Sequence, residues 1–224
     1  MQKIVALILL MIAGTIYLGK QAHLVLINFR PAPAVALAQI IDGSADPLQI
    51  AVGASDGAEM SVIKLPWNDG VAVLEPRARY KVAGRVLSYA HYYLEDAAEL
   101  APVDLALGWD RLALAQAPKG VTFDHGNRFY HFYIAQSEHS IDANYVYLHS
   151  SNIHLIPANQ TLKKLILSLR SNELIELSGY LVDVTNPQRP DWHWNTSLRR
   201  DDRGGGSCEL MYVKQVRTER GIFQ

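Results

Sequence analysis

The chain has 224 residues, 49% of them hydrophobic and 19% charged, with 21 Lys+Arg against 22 Asp+Glu. This composition excludes disordered, collagenous and low-complexity classes, and a net charge of −1 lacks the basic excess of a dedicated nucleic-acid binder. One cysteine, Cys208, excludes an internal disulfide and any multi-cysteine metal site.

Residues 4–19 carry no charge and lie between Lys3 and Lys20. Sixteen apolar positions are slightly short for a span of ~20 residues, unless the flanking lysines snorkel to the headgroups. A basic start before an apolar run is also the pattern of a secretory signal, and Ala36-Leu37-Ala38 matches its small-x-small cleavage rule. That site lies far beyond the end of the run, so an uncleaved anchor is the expectation and a cleaved signal the alternative. The organisation expected is an anchor or signal segment over 1–30, an irregular lead-in over 31–76 and a β-rich domain over 77–224.

Tyr80 to Leu87 alternates as a strand does, with Gly84 where a bulge or a close backbone approach fits. Residues 90–145 hold eight carboxylates against three basic residues, an acidic stretch without a calcium-binding Asp-x-Asp-x-Asp-Gly loop. Phe129 to Ile134 and Tyr145 to Leu148 are dense in aromatic and β-branched residues, which favours strands. Asn159 caps a predicted helix after Pro157, with Leu162, Leu165, Ile166 and Leu169 on one face. Leu174 to Val184 is a further strand with Ile175, Leu177, Gly179 and Leu181 on one side. Residues 192–198 and 208–216 are expected to be the arms of a closing hairpin. The class expected is α+β, mainly β: one N-terminal transmembrane helix, then an OB-like, partly closed barrel with one packing helix.

Three groups of residues are candidates for chemistry. Arg199, Arg200 and Arg203 flank Gly204, Gly205 and Gly206, a composition suited to a backbone nest that binds an anion. Asp201 and Asp202 sit among those arginines, so a solvated loop with self-paired charges is the plainer reading. Cys208 is the candidate nucleophile, and a histidine such as His154 or His193 would be its base. It also leads an alternating strand, where a buried thiol is inert. His149 and His154 are five apart, which is not the helical spacing of a zinc site. The chain has no Gly-x-Ser-x-Gly elbow, P-loop, dinucleotide fingerprint or His-Glu-x-x-His. No cofactor and no metal are therefore expected.

Several motifs recur in a fixed order: Tyr80-x3-Gly84-Arg85-Val86-Leu87-Ser88, Pro102 to Trp109, Asn127-Arg128-Phe129-Tyr130 and Ser151 to Ala158. The last is Trp194-x-Thr196-Ser197-Leu198-x-Arg200-x-Asp202-x-Gly204-x-Gly206-x-Cys208-Glu209. With these, residues 77–216 resemble a family of uncharacterised proteobacterial proteins with a hydrophobic N-terminus. The resemblance implies a bacterial envelope setting and no assigned activity. The function expected is a non-enzymatic interaction or assembly subunit, held in the inner membrane by residues 4–19, with its soluble domain in the periplasm. Its partners would be other membrane or envelope proteins and not nucleic acid. A thiol hydrolase using Cys208, acting on cell-envelope or peptide substrates, and an anion-binding module are the alternatives.

Overall fold

Strand follows strand through most of the chain in the computed structural model, which describes residues 40, 46–52, 61–68, 70–114, 118–135 and 141–224. These belong to one unit, Ala34–Gln224. Residues 4–19 and Ala36-Leu37-Ala38 lie outside the described residues. Among the described residues no helix is long and apolar enough to cross a membrane.

The strands are β1 (Leu48–Ala51), β2 (Ile63–Trp67), β3 (Gly70–His91), β4 (Val103–Gly108), β5 (Val121–Gly126) and β6 (Phe129–Ile134). Then come β7 (Ser150–Pro157), β8 (Leu174–Thr185), β9 (His193–Trp194), β10 (Glu209–Thr218) and β11 (Gly221–Phe223). Among the described residues, three short α-helices, α1 (Asp96–Leu100), α2 (Ala143–Leu148) and α3 (Gln160–Ser168), and a 3-10 helix at Asp110–Ala113 join them. The protein is mainly β, as expected.

Five strands pair in a ring. β3 runs antiparallel to β4 and β4 to β7; β7 is parallel to β10, and β10 is antiparallel to β8. β8 then returns antiparallel to β3 over Val73–Arg85 and closes the sheet on itself. The 22-residue β3 makes this possible, because its other edge is shared by β2, β1 and β4 in turn.

Alternation supplies the interior. Tyr80, Val82, Val86, Leu105, Leu107, Ile153, Leu155, Leu177, Leu181, Met211 and Val213 are all buried at inward-facing register positions. Two glycines let the backbones meet. A Cβ on Gly84 would lie 2.3 Å from the Gly108 carbonyl oxygen, and one on Gly179 only 2.0 Å from that of Tyr212. Gly84 is thus a place of close approach. The bulge of β3 against β4 lies further on, between Val86 and Ser88.

α3 forms as expected: the Asn159 side chain accepts from the Leu162 N–H, and Leu162, Leu165 and Ile166 are buried. Three other expectations are corrected. Tyr145–Leu148 is not a strand but the body of α2, whose N-cap Asp142 accepts from the Tyr145 N–H at 2.8 Å. Residues 192–198 and 208–216 do not form a hairpin ladder. β9 pairs with β8, while the Ser197 N–H donates to the Cys208 carbonyl from outside any strand. Nor is the stretch before residue 77 wholly irregular, since β1, β2 and the first residues of β3 belong to the same sheet.

Candidate functional site

The outward face of β4, β7 and β10 begins as a polar surface. Ser88, Asp104, Asn152, His154 and Cys208 fall on the face opposite to the apolar interior, in register with one another. Left bare, Asp104 and Asn152 would be hydrated. Instead the β5–β6 hairpin, a separate two-stranded sheet, lies over them and supplies their partners.

Arg128 at the hairpin turn donates to Asp104 Oδ1 at 2.8 Å and to the Ala101 carbonyl at 2.9 Å. Its guanidinium also stacks on Tyr92, 3.7 Å from the ring centre, and lies 3.2 Å from Glu95. Asp104 is fully buried, and His154 Nδ1 lies 2.8 Å from the same oxygen that Arg128 holds. Asp104 Oδ2 and Arg128 Nη2 are buried without a hydrogen-bond partner among the described residues. A buried carboxylate between a guanidinium and an imidazole is a fixed charge arrangement that would be costly to disrupt.

A second chain of contacts leads to the thiol. Ser88 Oγ and His125 Nδ1 are 2.8 Å apart, and His125 Nε2 and Asn152 Oδ1 are 3.0 Å apart. Asn152 Nδ2 donates to the Arg128 carbonyl at 2.8 Å and to Cys208 Sγ at 3.3 Å. With the Asn152 oxygen facing His125, the ring carries its proton on Nε2 and accepts from Ser88 at Nδ1. Burial holds His125 below the ordinary imidazole value. Burial likewise pushes the Cys208 thiol up to about 11, against the modest help of the Asn152 amide.

The expected site residues separate into two clefts that share Phe129 and Cys208. His154, His193 and Cys208 all line one of ≈ 510 Å³, together with Arg128, Phe129, Trp192, Trp194 and Gly206. No histidine is among the hydrogen-bond partners of the thiol, which are Asn152 and the Arg128 carbonyl. His149 goes elsewhere, with Nδ1 on the Tyr145 carbonyl and its ring stacked on Tyr145.

Arg199, Arg200, Arg203 and Gly204 line the other cleft, of ≈ 250 Å³. Their charges are largely paired within the protein. Arg199 meets Asp201 at 3.0 Å, and Arg200 holds Glu209 and donates to the Tyr80 hydroxyl at 2.8 Å. Arg203 lies 4.1 Å over the Tyr147 ring and donates to Asn144. Gly204 and Gly206 adopt left-handed φ of 80° and 90°, where a side chain would be strained. Gly205 makes no such demand and has open space around its Cα. Burial raises the Glu209 carboxyl to about 7 even though Arg200 opposes it, and burial also raises Tyr80.

Reading the sequence alone missed Asp104, His125, Arg128, Asn152, Tyr80 and Glu209. The signal available was polarity at strand positions, as in Ser150-Ser151-Asn152-Ile153-His154, where alternation places Asn152 and His154 on one face. Comparison of the chain with known protein families, curated proteins and solved structures finds no match in any of the three.

Proposed function

We propose that this chain is a non-enzymatic binding and assembly module of the bacterial envelope, an OB-like barrel anchored in the inner membrane by residues 4–19. In this reading the soluble domain faces the periplasm and docks another membrane or envelope protein. The resemblance of residues 77–216 to envelope proteins and the apolar run at 4–19 support the setting. The order of the ring, with α3 between its third and fourth strands and a parallel pair of third and fifth, supports the OB-like reading.

The observation that carries the function is the ≈ 510 Å³ cleft over β7, between the 92–102 and 186–208 loops. Phe129 is 40% exposed, and Trp192 and Trp194 are half-buried beside it. Aromatic anchors at a preformed hollow, rimmed by polar side chains, make a binding hot spot for a partner segment. A photo-crosslinking residue in place of the exposed His193, in the full chain in native membranes, tests this. A discrete adduct with one envelope protein is expected, and none from the same probe at the exposed strand position Lys64. Lack of any adduct at His193, or equal capture at both positions, overturns the reading.

A thiol hydrolase is the second reading, favoured by one observation. His154 Nδ1 lies against Asp104 while His154 and Cys208 line the same cleft, which sets a nucleophile, a base and an orienting carboxylate in one neighbourhood. The thiol's raised pKa and its amide partner weigh against it.

A further inference from the structure

The parallel strands β7 and β10 begin side by side, and the 199–207 loop covers the hollow that their first residues leave. At ≈ 250 Å³ this second cleft is below the ~300–1,000 Å³ of pockets for drug-sized ligands, so it suits a molecule of about one ring. It adjoins the docking cleft, with Phe129 and Cys208 bordering both.

Its floor is polar and buried. Ser151 is 7% exposed and lines the cleft. Glu209, 3% exposed, gives one oxygen to Arg200, and its other oxygen is buried without a partner. Ser151 and Glu209 sit on the same inward face of adjacent strands. An unpaired carboxyl oxygen on the floor is a standing cost that a ligand hydroxyl would remove by donating to Glu209, with the Ser151 hydroxyl beside it as a further hydrogen-bonding group.

The mouth has the opposite character. Arg200 is paired with Glu209 and Arg199 with Asp201, which leaves Arg203 as the guanidinium of the mouth without a carboxylate partner among the described residues. Arg203 uses one of its N–H groups on Asn144 and stacks on Tyr147, while Arg199 is 70% exposed. The remaining donors of Arg203 suit an acceptor of negative charge. The floor offers groups that bind hydroxyls and the mouth offers Arg203, so a ligand that fits carries hydroxyls at one end and its charge at the other.

We propose that this cleft binds an anionic monosaccharide: a hydroxylated ring with one carboxylate or phosphate. The hydroxyls meet Ser151 and Glu209, the ring lies against Tyr147, and the anionic group faces Arg203 and Arg199. Titration calorimetry on the detergent-solubilised full chain tests it, with glucuronate, glucose 6-phosphate, glucose, glutamate and inorganic phosphate as probes.

Saturable 1:1 binding of glucuronate or glucose 6-phosphate is expected, about tenfold or more tighter than glucose. The tighter of the two identifies the charged group. Ser151→Ala and Arg203→Ala should each weaken that binding by roughly fivefold or more while leaving the circular-dichroism melting midpoint near that of the parent. Failure of both anionic sugars to saturate overturns the proposal. So does equal affinity for glucose, glutamate or phosphate, or unchanged affinity in both folded variants.

Discussion

At the scale of single residues, the position of Cys208 between two clefts decides how the thiol behaves. A thiolate forms readily where a cation or an imidazolium faces the sulfur. Here the sulfur faces the Asn152 amide, and its other neighbours with electrostatic influence are the carboxyls of Glu209, Asp104 and Asp202. Burial therefore sets the value, at about 11. At pH 8 a thiol of that pKa is ~0.1% ionised, whereas an ordinary cysteine near 8.5 is about a quarter ionised. Iodoacetamide should modify Cys208 in the folded protein at pH 8 on the order of a hundredfold more slowly than in urea. The folded-state rate should keep rising through pH 10. A folded-state rate equal to the unfolded one at pH 8, levelling off near pH 7, would establish an activated nucleophile and favour the hydrolase.

At the scale of elements, the sequence speaks clearly where one local rule decides and falls silent where partners come from afar. The α3 helix is legible because its cap and its stripe lie within ten residues. Tyr145–Leu148 misleads because its aromatic and β-branched composition favours a strand, while the deciding signal is the Asp142 cap just before it. The candidate site is legible only in part. Cys208, His154 and His193 line one cleft as a sequence reader would hope. Asp104 and Asn152 take their roles from register with β7 and β4, and His125 and Arg128 from a hairpin inserted far away in the chain. No spacing rule encodes those contacts.

Gly179 shows the same limit. In the sequence it is one member of an alternating face, but in the fold its hydrogen is all that separates β8 from the Tyr212 carbonyl. Gly179→Ala should cost roughly 1–3 kcal/mol or more in urea unfolding, since backbone must move to admit the methyl group. Gly205→Ala, at a position with open space and no left-handed φ, should change stability by less than about 0.5 kcal/mol. Equal effects at the two positions would mean that β8 and β10 do not approach as described.

At the scale of the whole molecule, ring closure places the start of β10 and Tyr80 of β3 on either side of Arg200 and makes one buried carboxyl answerable to pH. Glu209 sits at the end of the ring of strands with Arg200 and, through it, Tyr80. Burial raises its carboxyl from 4.5 to about 7 in the folded protein. The folded state thus holds this proton more tightly than the unfolded chain does. The stability it contributes is fully present below pH 4.5 and is lost as pH rises through about 7. The size of that loss is about 3 kcal/mol by linkage.

Glu209→Gln removes the titration while keeping an oxygen that can accept from Arg200. Other groups also titrate in this range. His125, held low by burial, favours the unfolded state at acid pH and so acts with the opposite sign. Because it is present in both proteins, it cancels in their difference. Urea unfolding of both from pH 5 to 8 should show the parent losing roughly 2–3 kcal/mol relative to the variant, with most of the change between pH 5 and 7. Parallel curves would mean that the Glu209 carboxyl is ionised at pH 5, its burial offset by Arg200. The floor of the second cleft would then present a fixed negative charge throughout that range.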